Sequence, residues 1–382
     1  ALLQAMGVHQ YRMSIEWSRL EPREGQWDSA ATLHYQNEIL RLEAHGIEPI
    51  ITLWHSTLPI WVSQKQGWNW PGIPQAFEKF ALYVRQKIAP RARYWITLNE
   101  PLLYLMGAYI RGVVPPAELG SFQNIQFPLI QMLRTHAQVY RSLHAVSLPQ
   151  GPNSIAVGIA HRMDSFAPYD SNSFLDQWIS SKADEIFNWT VPQAIHSGQL
   201  ILKIPFIINL SVALPEIKDT QDYFGLNYYT RFALQTQLFP FDIKEHPLPG
   251  TQEITQMGWE IYPEGFYSLL RKVHQKFQSL PILITENGIA DASDRLREKY
   301  LRRHLTYLYL AIQRGIPVLN YMYWSLYDNF EWDQGYSIHV GLFSIDPTTR
   351  RRVSRKSARF FREIVRQNGL PLISALRVKV AH

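Results

Sequence analysis

Two glutamates in this chain of 382 residues stand at the ends of apolar runs. Glu100 follows "YWITLN" and precedes Pro101, and Glu286 follows "ILIT". A carboxylate in such surroundings loses hydration, so it must be hydrogen-bonded, paired with a cation or used in chemistry. Salt bridging or helix capping would explain a single case. Two, each beside an asparagine (Asn99 and Asn287), indicate a functional pair, and paired carboxylates are what hydrolysis of a glycosidic bond requires.

An aromatic segment favours sugar as the substrate. Residues 323–336 read "YWSLYDNFEWDQGY", which places tryptophan and tyrosine around Asp328, Glu331 and Asp333. The apolar face of a pyranose stacks on an indole ring, and carboxylates accept hydrogen bonds from its hydroxyls. Core packing is the alternative for such rings, and we assign Phe330 to it. The mixture of rings and carboxylates indicates a carbohydrate site.

Short apolar runs alternate with helical periods along the chain. The runs cover residues 9–15, 47–54, 93–100, 153–161, 222–229, 281–288 and 318–326. Their nearly continuous apolar character is typical of parallel strands buried on both faces. Helical periods cover 31–45, 73–88, 129–143, 266–277 and 296–314, and Gly46 and Gly315 stand where two of these helices would end.

This alternation predicts an α/β fold, either a (β/α)8 TIM barrel or a doubly wound sheet. Neither G-x-G-x-x-G nor a P-loop follows any run, which disfavours a nucleotide-binding sheet. We therefore predict one barrel domain over residues 1–370 and a C-terminal tail over 371–382. The active site of a barrel lies at the carboxyl ends of its strands, where both glutamates fall.

The composition argues against several other classes of protein. The chain has no cysteine, and its 13 histidines form no H-x-H or H-E-x-x-H pattern, so we expect no metal and no cofactor. The net charge of +6 is mostly dispersed, and we interpret the basic cluster at 350–356 as a solvated turn, with no nucleic-acid partner. The apolar segment 204–215 is too short to span a bilayer, and no signal peptide is visible. We therefore expect no membrane partner and favour a cytoplasmic location.

Several motifs together carry a family resemblance. "TLNEP" and "ITENG" contain the two glutamates, "WSLYDNFEW" lies in the aromatic segment, and "YRMSIEWSRLEP" and "GLNYYT" occur at 11–22 and 225–230. In this set and order the sequence resembles the family-1 glycoside hydrolases, the β-glucosidase and β-galactosidase group. The likeness runs from about residue 5 to 368.

The resemblance implies a retaining β-glycosidase that forms a covalent glycosyl-enzyme. Glu286 would be the nucleophile, and Glu100 would be the general acid and then the general base. Arg12 and Tyr229 resemble the residues that hold the nucleophile, and Asn227 stands in the same "GLNYYT" motif as a further supporting residue.

The resemblance also implies a set of sugar-binding residues, namely His55, Asn99, Trp324, Glu331 and Trp332. Asn99 would bind the 2-hydroxyl, Trp324 would stack beneath the sugar, and Glu331 would bind the 4- and 6-hydroxyls. A carboxylate at Glu331 would repel a 6-phosphate, so we expect an unphosphorylated small-molecule β-glycoside as the substrate. A homo-oligomer is compatible with the sequence.

Two departures from the family pattern leave an alternative open. The family barrel opens with a strand whose glutamine binds the sugar, and nothing in this sequence resembles that strand. The resemblance therefore implies a barrel with seven of the eight strands. The tail at 375–382, in which apolar and polar residues alternate, is one candidate to take the place of the missing strand. After His55 the family usually has tryptophan, where this chain has Ser56. Both departures would weaken sugar binding, so the alternative is a degenerate, non-catalytic sugar-binding or scaffold homologue.

Overall fold

The computed structural model describes residues 2–147, 154–205, 207–238, 241–251 and 253–370. The strands are β1 Gln10–Ser14, β2 Glu48–Trp54, β3 Tyr94–Asn99, β4 Ala156–Pro168, β5 Gln199–Ile204, β6 Ile208–Ala213, β7 Phe224–Leu238, β8 Phe241–His246, β9 Ile282–Asn287, β10 Val318–Tyr323, β11 Phe343–Ile345 and β12 Arg352–Ser354. The α-helices are α1 Leu2–Met6, α2 Trp17–Leu20, α3 Ser29–Ala44, α4 Ile60–Gln64, α5 Ile73–Tyr83, α6 Pro101–Leu105, α7 Gln126–Ala145, α8 Phe174–Ala183, α9 Thr190–Ser197, α10 Pro263–Lys276, α11 Arg297–Gln313 and α12 Lys356–Gln367. Helices α5, α6 and α8 continue into π-helical turns at Val84–Ile88, Met106–Ile110 and Asp184–Trp189.

The main sheet forms a nearly closed barrel. Its strands lie in the order β1-β2-β3-β4-β7-β9-β10, each parallel to its neighbours, and β8 pairs antiparallel with β7. The spatial order follows the chain order throughout, whereas a doubly wound sheet reverses direction at a switch point. The predicted barrel is confirmed, and the doubly wound alternative is wrong.

One gap interrupts the barrel wall. Within the described part of the chain, β1 pairs only with β2 and β10 only with β9. Asn320 of β10 donates a hydrogen bond from Nδ2 to Gln10 Oε1 of β1 at 3.1 Å. Both edges line a cavity of about 1890 Å³ that extends to His55 and Trp324. The tail at 375–382, the predicted candidate to fill this gap, lies outside the described residues.

Packing against the outer helices buries β2, β3 and β9 on both faces, as their apolar runs predicted, whereas β1 and β10, at the gap, have no fully buried residue, so the prediction is wrong for the runs at 9–15 and 318–326. Every residue of β9 is buried, and β2 and β3 are buried after their first residue. On the helical side, the Trp17 ring stacks on Phe80 at 5.2 Å and meets Phe77 edge-on at 5.4 Å. This rigid support fixes the carboxyl ends of the strands.

Helix boundaries follow the local signals. Asp28 caps α3, because its Oδ1 accepts the Ala31 N–H at 2.7 Å. Gly46 and Gly315 follow the C-caps of α3 and α11 with φ of 67° and 81°, a backbone conformation that glycine adopts without steric cost.

Three parts of the chain differ from the prediction. The runs at 153–161 and 222–229 belong to longer strands, β4 and β7, which stay paired as far as Pro168 and Leu234. The apolar segment at 204–215 contributes to an antiparallel hairpin of β5 and β6. In β6, Ile208 is buried and Leu210 and Val212 are half-buried, while the alternate residues are exposed, so the alternation of a one-sided strand explains the composition of this segment. Among the described residues, no helix has the length and hydropathy of a membrane span.

Candidate active site

Both glutamates lie at the carboxyl ends of barrel strands. Glu286 is the penultimate residue of β9 and only 4% exposed, and Glu100 follows β3 and precedes α6. Glu100 has φ 48° and ψ 52°, a left-handed backbone that costs a non-glycine residue about 1–3 kcal/mol. Strain of this kind persists where the surroundings fix the residue firmly.

Two strong hydrogen bonds hold Glu286. Arg12 Nη1 donates to its Oε1 at 2.5 Å, and Tyr229 Oη donates to its Oε2 at 2.5 Å. Burial opposes ionisation of this carboxyl group, but the Arg12 charge, aided by the Tyr229 hydrogen bond, holds the pKa of Glu286 below its usual value. Glu286 is therefore an ionised carboxylate at neutral pH.

Glu100 is in the opposite state. Burial and the neighbouring charge of Glu286 raise the pKa of Glu100 to about 7. The charge of Arg162 and a hydrogen bond from Asn227 Nδ2 to Glu100 Oε1, 2.7 Å long, limit this rise. Two carboxyl groups with divided proton affinities are suited to the separate roles of proton donor and nucleophile.

A chain of amide groups connects the two carboxyl groups. Asn99 Oδ1 accepts from Arg12 Nη2 at 2.7 Å and from Asn227 Nδ2 at 3.1 Å. Thr285 Oγ1 donates to Asn227 Oδ1 at 2.6 Å. This bond fixes the amide of Asn227, so that its Nδ2 faces Glu100.

Asn287 has a structural contact set rather than a place in this network. Its Nδ2 donates to the Tyr228 carbonyl and to Tyr300 Oη, both at 2.7 Å, and its Oδ1 accepts from Tyr321 Oη at 2.8 Å. It is fully buried and joins β9 to its neighbouring strands and α11. The interpretation of both asparagines as signs of function is therefore wrong for Asn287.

Four of the five predicted sugar-binding residues lie close together and form the proposed sugar-binding wall, whereas Asn99 lies in the amide network. The His55 ring lies 5.7 Å from Trp324 and 5.8 Å from Trp332, measured between centroids, and Trp324 Nε1 donates to Glu331 Oε1 at 3.3 Å. Burial lowers the pKa of His55 to about 4, so the imidazole is neutral at pH 7. Burial also raises the pKa of Glu331 to about 7. Ser56, where the family pattern has tryptophan, has φ 69°.

No metal site is found in the part of the chain that the structure describes, since no three acidic, histidine or cysteine side chains are placed to hold an ion together. The groups described here at the site are carboxyl, amide, guanidinium, hydroxyl and aromatic groups. Such a set performs acid–base and nucleophilic chemistry.

Comparison with known sequences decides the family. The sequence model described as Glycosyl hydrolase family 1 matches residues 1–370. The chain belongs to glycosyl hydrolase family 1. The resemblance seen in the motifs is thereby confirmed, and the protein is a glycoside hydrolase.

Relatives of this family-1 glycoside hydrolase include enzymes from bacteria, archaea and plants. It is 29% identical to β-glucosidase A of Thermotoga maritima, over 97% of this chain and 85% of that protein. The solved β-glycosidase from Pyrococcus horikoshii is 32% identical, with a TM-score of 0.86 over 97% of this chain and 83% of that one. The chloroplastic galactolipid galactosyltransferase SFR2 of Arabidopsis thaliana is 28% identical over 94% of this chain and 55% of that protein. The β-glucosidase and the β-glycosidase among these relatives support β-glycosidase activity.

Three polar residues of this glycoside hydrolase site were not predicted from the sequence, namely Arg162, Asp164 and Thr285. The first two lie in β4, beyond the point at which we expected that strand to end. A signal was available, because "HRMD" continues directly from an apolar run, as Glu100 does from its own. Thr285 could not be distinguished in the sequence from an ordinary strand residue, because only its hydrogen bond to Asn227 in the folded protein reveals its role.

Proposed function

We propose that the protein is a retaining β-glycosidase that hydrolyses unphosphorylated β-glucosides or related β-glycosides. The observation that carries the proposal is the divided protonation of the two glutamates. Glu100, with a pKa near 7, can give a proton, and Glu286, held ionised by Arg12 and Tyr229, can attack. This is the division of roles that a retaining glycosidase needs.

The first half of the reaction breaks the glycosidic bond. A Glu286 carboxylate oxygen bonds to the anomeric carbon while the bond to the leaving-group oxygen breaks. Glu100 transfers its proton to that oxygen, so the aglycone leaves as a neutral alcohol. The sugar is then held to Glu286 through an ester bond.

The second half restores the enzyme. Glu100, now ionised, takes a proton from water, and the water oxygen bonds to the anomeric carbon as the ester bond breaks. Glu286 is released as a carboxylate, with Arg12 and Tyr229 still bound to it. Two inversions at one carbon leave its configuration unchanged.

The sugar-binding wall supports a neutral glycone. Glu331 accepts a hydrogen bond from Trp324, and its carboxyl group can accept further hydrogen bonds from sugar hydroxyls, whereas its ionised form would repel a phosphate dianion. The neutral imidazole of His55 has one donor and one acceptor nitrogen, which matches a sugar hydroxyl.

Hydrolysis of 4-nitrophenyl β-glucoside tests the proposal. The unaltered protein should release nitrophenol and give β-glucose as the first NMR-detected product, while Glu286→Gln should lose activity by several orders of magnitude. The 6-phosphorylated substrate should be turned over more slowly. Equal rates for the unaltered protein and Glu286→Gln would refute catalysis by this pair and favour the non-catalytic alternative.

Transfer to a sugar acceptor is a second candidate, favoured by the similarity to a protein named as a galactolipid galactosyltransferase. A glycosyl ester on Glu286 can react with a sugar hydroxyl instead of water by the same base step. The same assay with added galactose as acceptor distinguishes the two, since transfer gives a disaccharide and less free glucose per nitrophenol released. Product ratios unaffected by the acceptor would reject transfer.

A further inference from the structure

Arg162 is a buried cation that has no role in the hydrolytic reaction as described above. It lies on β4 with its side chain 7% exposed, and its Nε donates to Asp164 Oδ2 at 2.8 Å. Asp164 is itself 2% exposed. Burying an ion pair is costly in desolvation, so this pair is poor evidence of stabilisation and calls for another explanation.

The pair is held in one orientation. The Asp164 N–H donates to Asn188 Oδ1 at 3.1 Å, and Asn188 Nδ2 donates back to the Asp164 carbonyl at 2.8 Å. The Arg162 guanidinium lies 4.5 Å from the ring centroid of Tyr229 and 5.0 Å from that of Trp259. Contacts of this kind fix a cation in place.

The fixed cation stands beside the acid–base glutamate. Arg162 is the strand partner of Asn227, which donates to Glu100, and the Glu100 N–H donates to the Ala160 carbonyl at 2.8 Å, two residues before Arg162. Its charge favours the ionised form of Glu100. Arg162 also lies against Tyr229, so it touches the surroundings of both carboxyl groups.

We propose that Arg162, oriented by Asp164, is a positioning residue whose fixed positive charge promotes the change of Glu100 from acid to base. The proposal rests on the proposed retaining function. In the first half of the reaction, burial and the negative charge of Glu286 outweigh Arg162, and Glu100 keeps its proton. Once Glu286 is esterified its negative charge is gone, and the charge of Arg162 favours loss of the Glu100 proton, as the second half requires.

The other charged and titratable groups around Glu100 enter the same balance. Glu286 faces it from β9, Asp164 from β4 and Tyr229 from β7, and Glu245 of β8 adds a negative charge near Arg162. Of these groups, only Glu286 loses its charge during the reaction, when it forms the glycosyl ester. Arg162 is thus a constant influence against which the changing charge of Glu286 acts.

Two variants with opposite expected effects test the proposal. The double variant Arg162→Gln/Asp164→Asn removes both charges and leaves a neutral amide at each position. It should move the alkaline limb of the kcat/KM pH profile upward by about one pH unit. Asp164→Asn alone keeps the cation and removes a negative charge, so it should move the limb downward. Arg162→Lys should keep the wild-type limb. A merely structural role for the pair would not give shifts of opposite sign.

A matched ion pair, between Arg231 of β7 and Glu260 in the loop before α10, serves as the control. Arg231 Nη2 donates to Glu260 Oε1 at 2.5 Å, and its guanidinium lies 3.7 Å from the ring centroid of Tyr262. Arg231→Gln/Glu260→Gln should lower the melting temperature and leave the alkaline limb in place. The proposal would be overturned if the alkaline limb of the kcat/KM pH profile did not move in Arg162→Gln/Asp164→Asn. It would also be overturned if that limb moved equally far in the control variant.

A second readout separates this proposal from the hydrolytic one. The 13C-labelled carboxyl carbon of Glu100, assigned by its loss in Glu100→Gln, reports the proton affinity of that residue without turnover. It should titrate at higher pH in Arg162→Gln/Asp164→Asn and at lower pH in Asp164→Asn. Unchanged titration in both would reject the influence of Arg162 even if hydrolysis is confirmed, and shifted titration would support it even if glycoside turnover proved absent.

Discussion

Tyr229→Phe is the sharpest perturbation that the site offers, because it removes one hydroxyl group and little else. That hydroxyl donates to Glu286 Oε2 at 2.5 Å, while Arg12 keeps its own bond to Oε1. A hydrogen bond to a charged group contributes about 1.5–3 kcal/mol, and a pKa changes by one unit for each 1.36 kcal/mol. The pKa of Glu286 should therefore rise by about 1–2 units in the variant.

The pH dependence of kcat/KM for 4-nitrophenyl β-glucoside measures this shift. Loss of the nucleophilic carboxylate sets the acid limb, so that limb should move about 1–2 pH units upward. Deprotonation of Glu100, whose pKa is about 7, sets the alkaline limb, which should stay. The bell-shaped profile should become narrower from its acid side only.

The neighbouring tyrosine provides a matched control. Tyr228 is fully buried and donates from Oη to the Tyr262 carbonyl at 2.5 Å, away from both glutamates. Tyr228→Phe should destabilise the protein by about 1–3 kcal/mol and leave the acid limb unchanged. The reasoning is refuted if Tyr229→Phe has the wild-type acid limb, or if both variants shift it equally.

Three further predictions concern the sugar wall and its support. Gly288→Ala would place a Cβ 1.9 Å from the Trp324 carbonyl oxygen, so the backbone of Trp324, the ring expected to stack on the sugar, must move. KM for the glucoside should therefore rise, and an unchanged KM would contradict this. Glu331→Gln removes a carboxyl group whose pKa is raised to about 7 by burial, whereas an unfolded carboxyl group ionises near 4.5. The buried carboxyl group therefore destabilises the folded state above about pH 4.5. The variant should have a higher melting temperature than wild type at pH 8 but not at pH 4, and equal gains at both pH values would contradict this. Arg297→Met breaks the ion pair between the fully buried Arg297 and Asp294, whose side chain is 11% exposed. It should cost about 3 kcal/mol in chemical denaturation, with KM preserved in the molecules that remain folded.

Much of the fold could be predicted from the sequence, because strand and helix signals are local. Apolar runs of strand length, separated by helical periods ending at Gly46 and Gly315, predicted an α/β fold, and the absence of nucleotide-binding motifs favoured the barrel over a doubly wound sheet. The ends of the long strands β4 and β7 were not predictable in this way, because past the barrel rim they are paired mainly with each other, as at Phe166 and Phe232. These two strands are distant in sequence, so a pattern read over a short stretch of the chain does not contain both partners.

The sequence by itself determined the chemical inventory of the site: two glutamates at strand ends, an aromatic segment with a carboxylate, and an arginine and a tyrosine in matching motifs. Only the tertiary structure decided how these groups act on one another. Arg12 and Glu286 are 274 residues apart, and Asn227 takes its orientation from Thr285, 58 residues away. Proton affinities depend on burial and on charges a few ångströms away in space, which linear order does not specify. For the same reason Asn287 proved structural, while Arg162 joined the surroundings of Glu100.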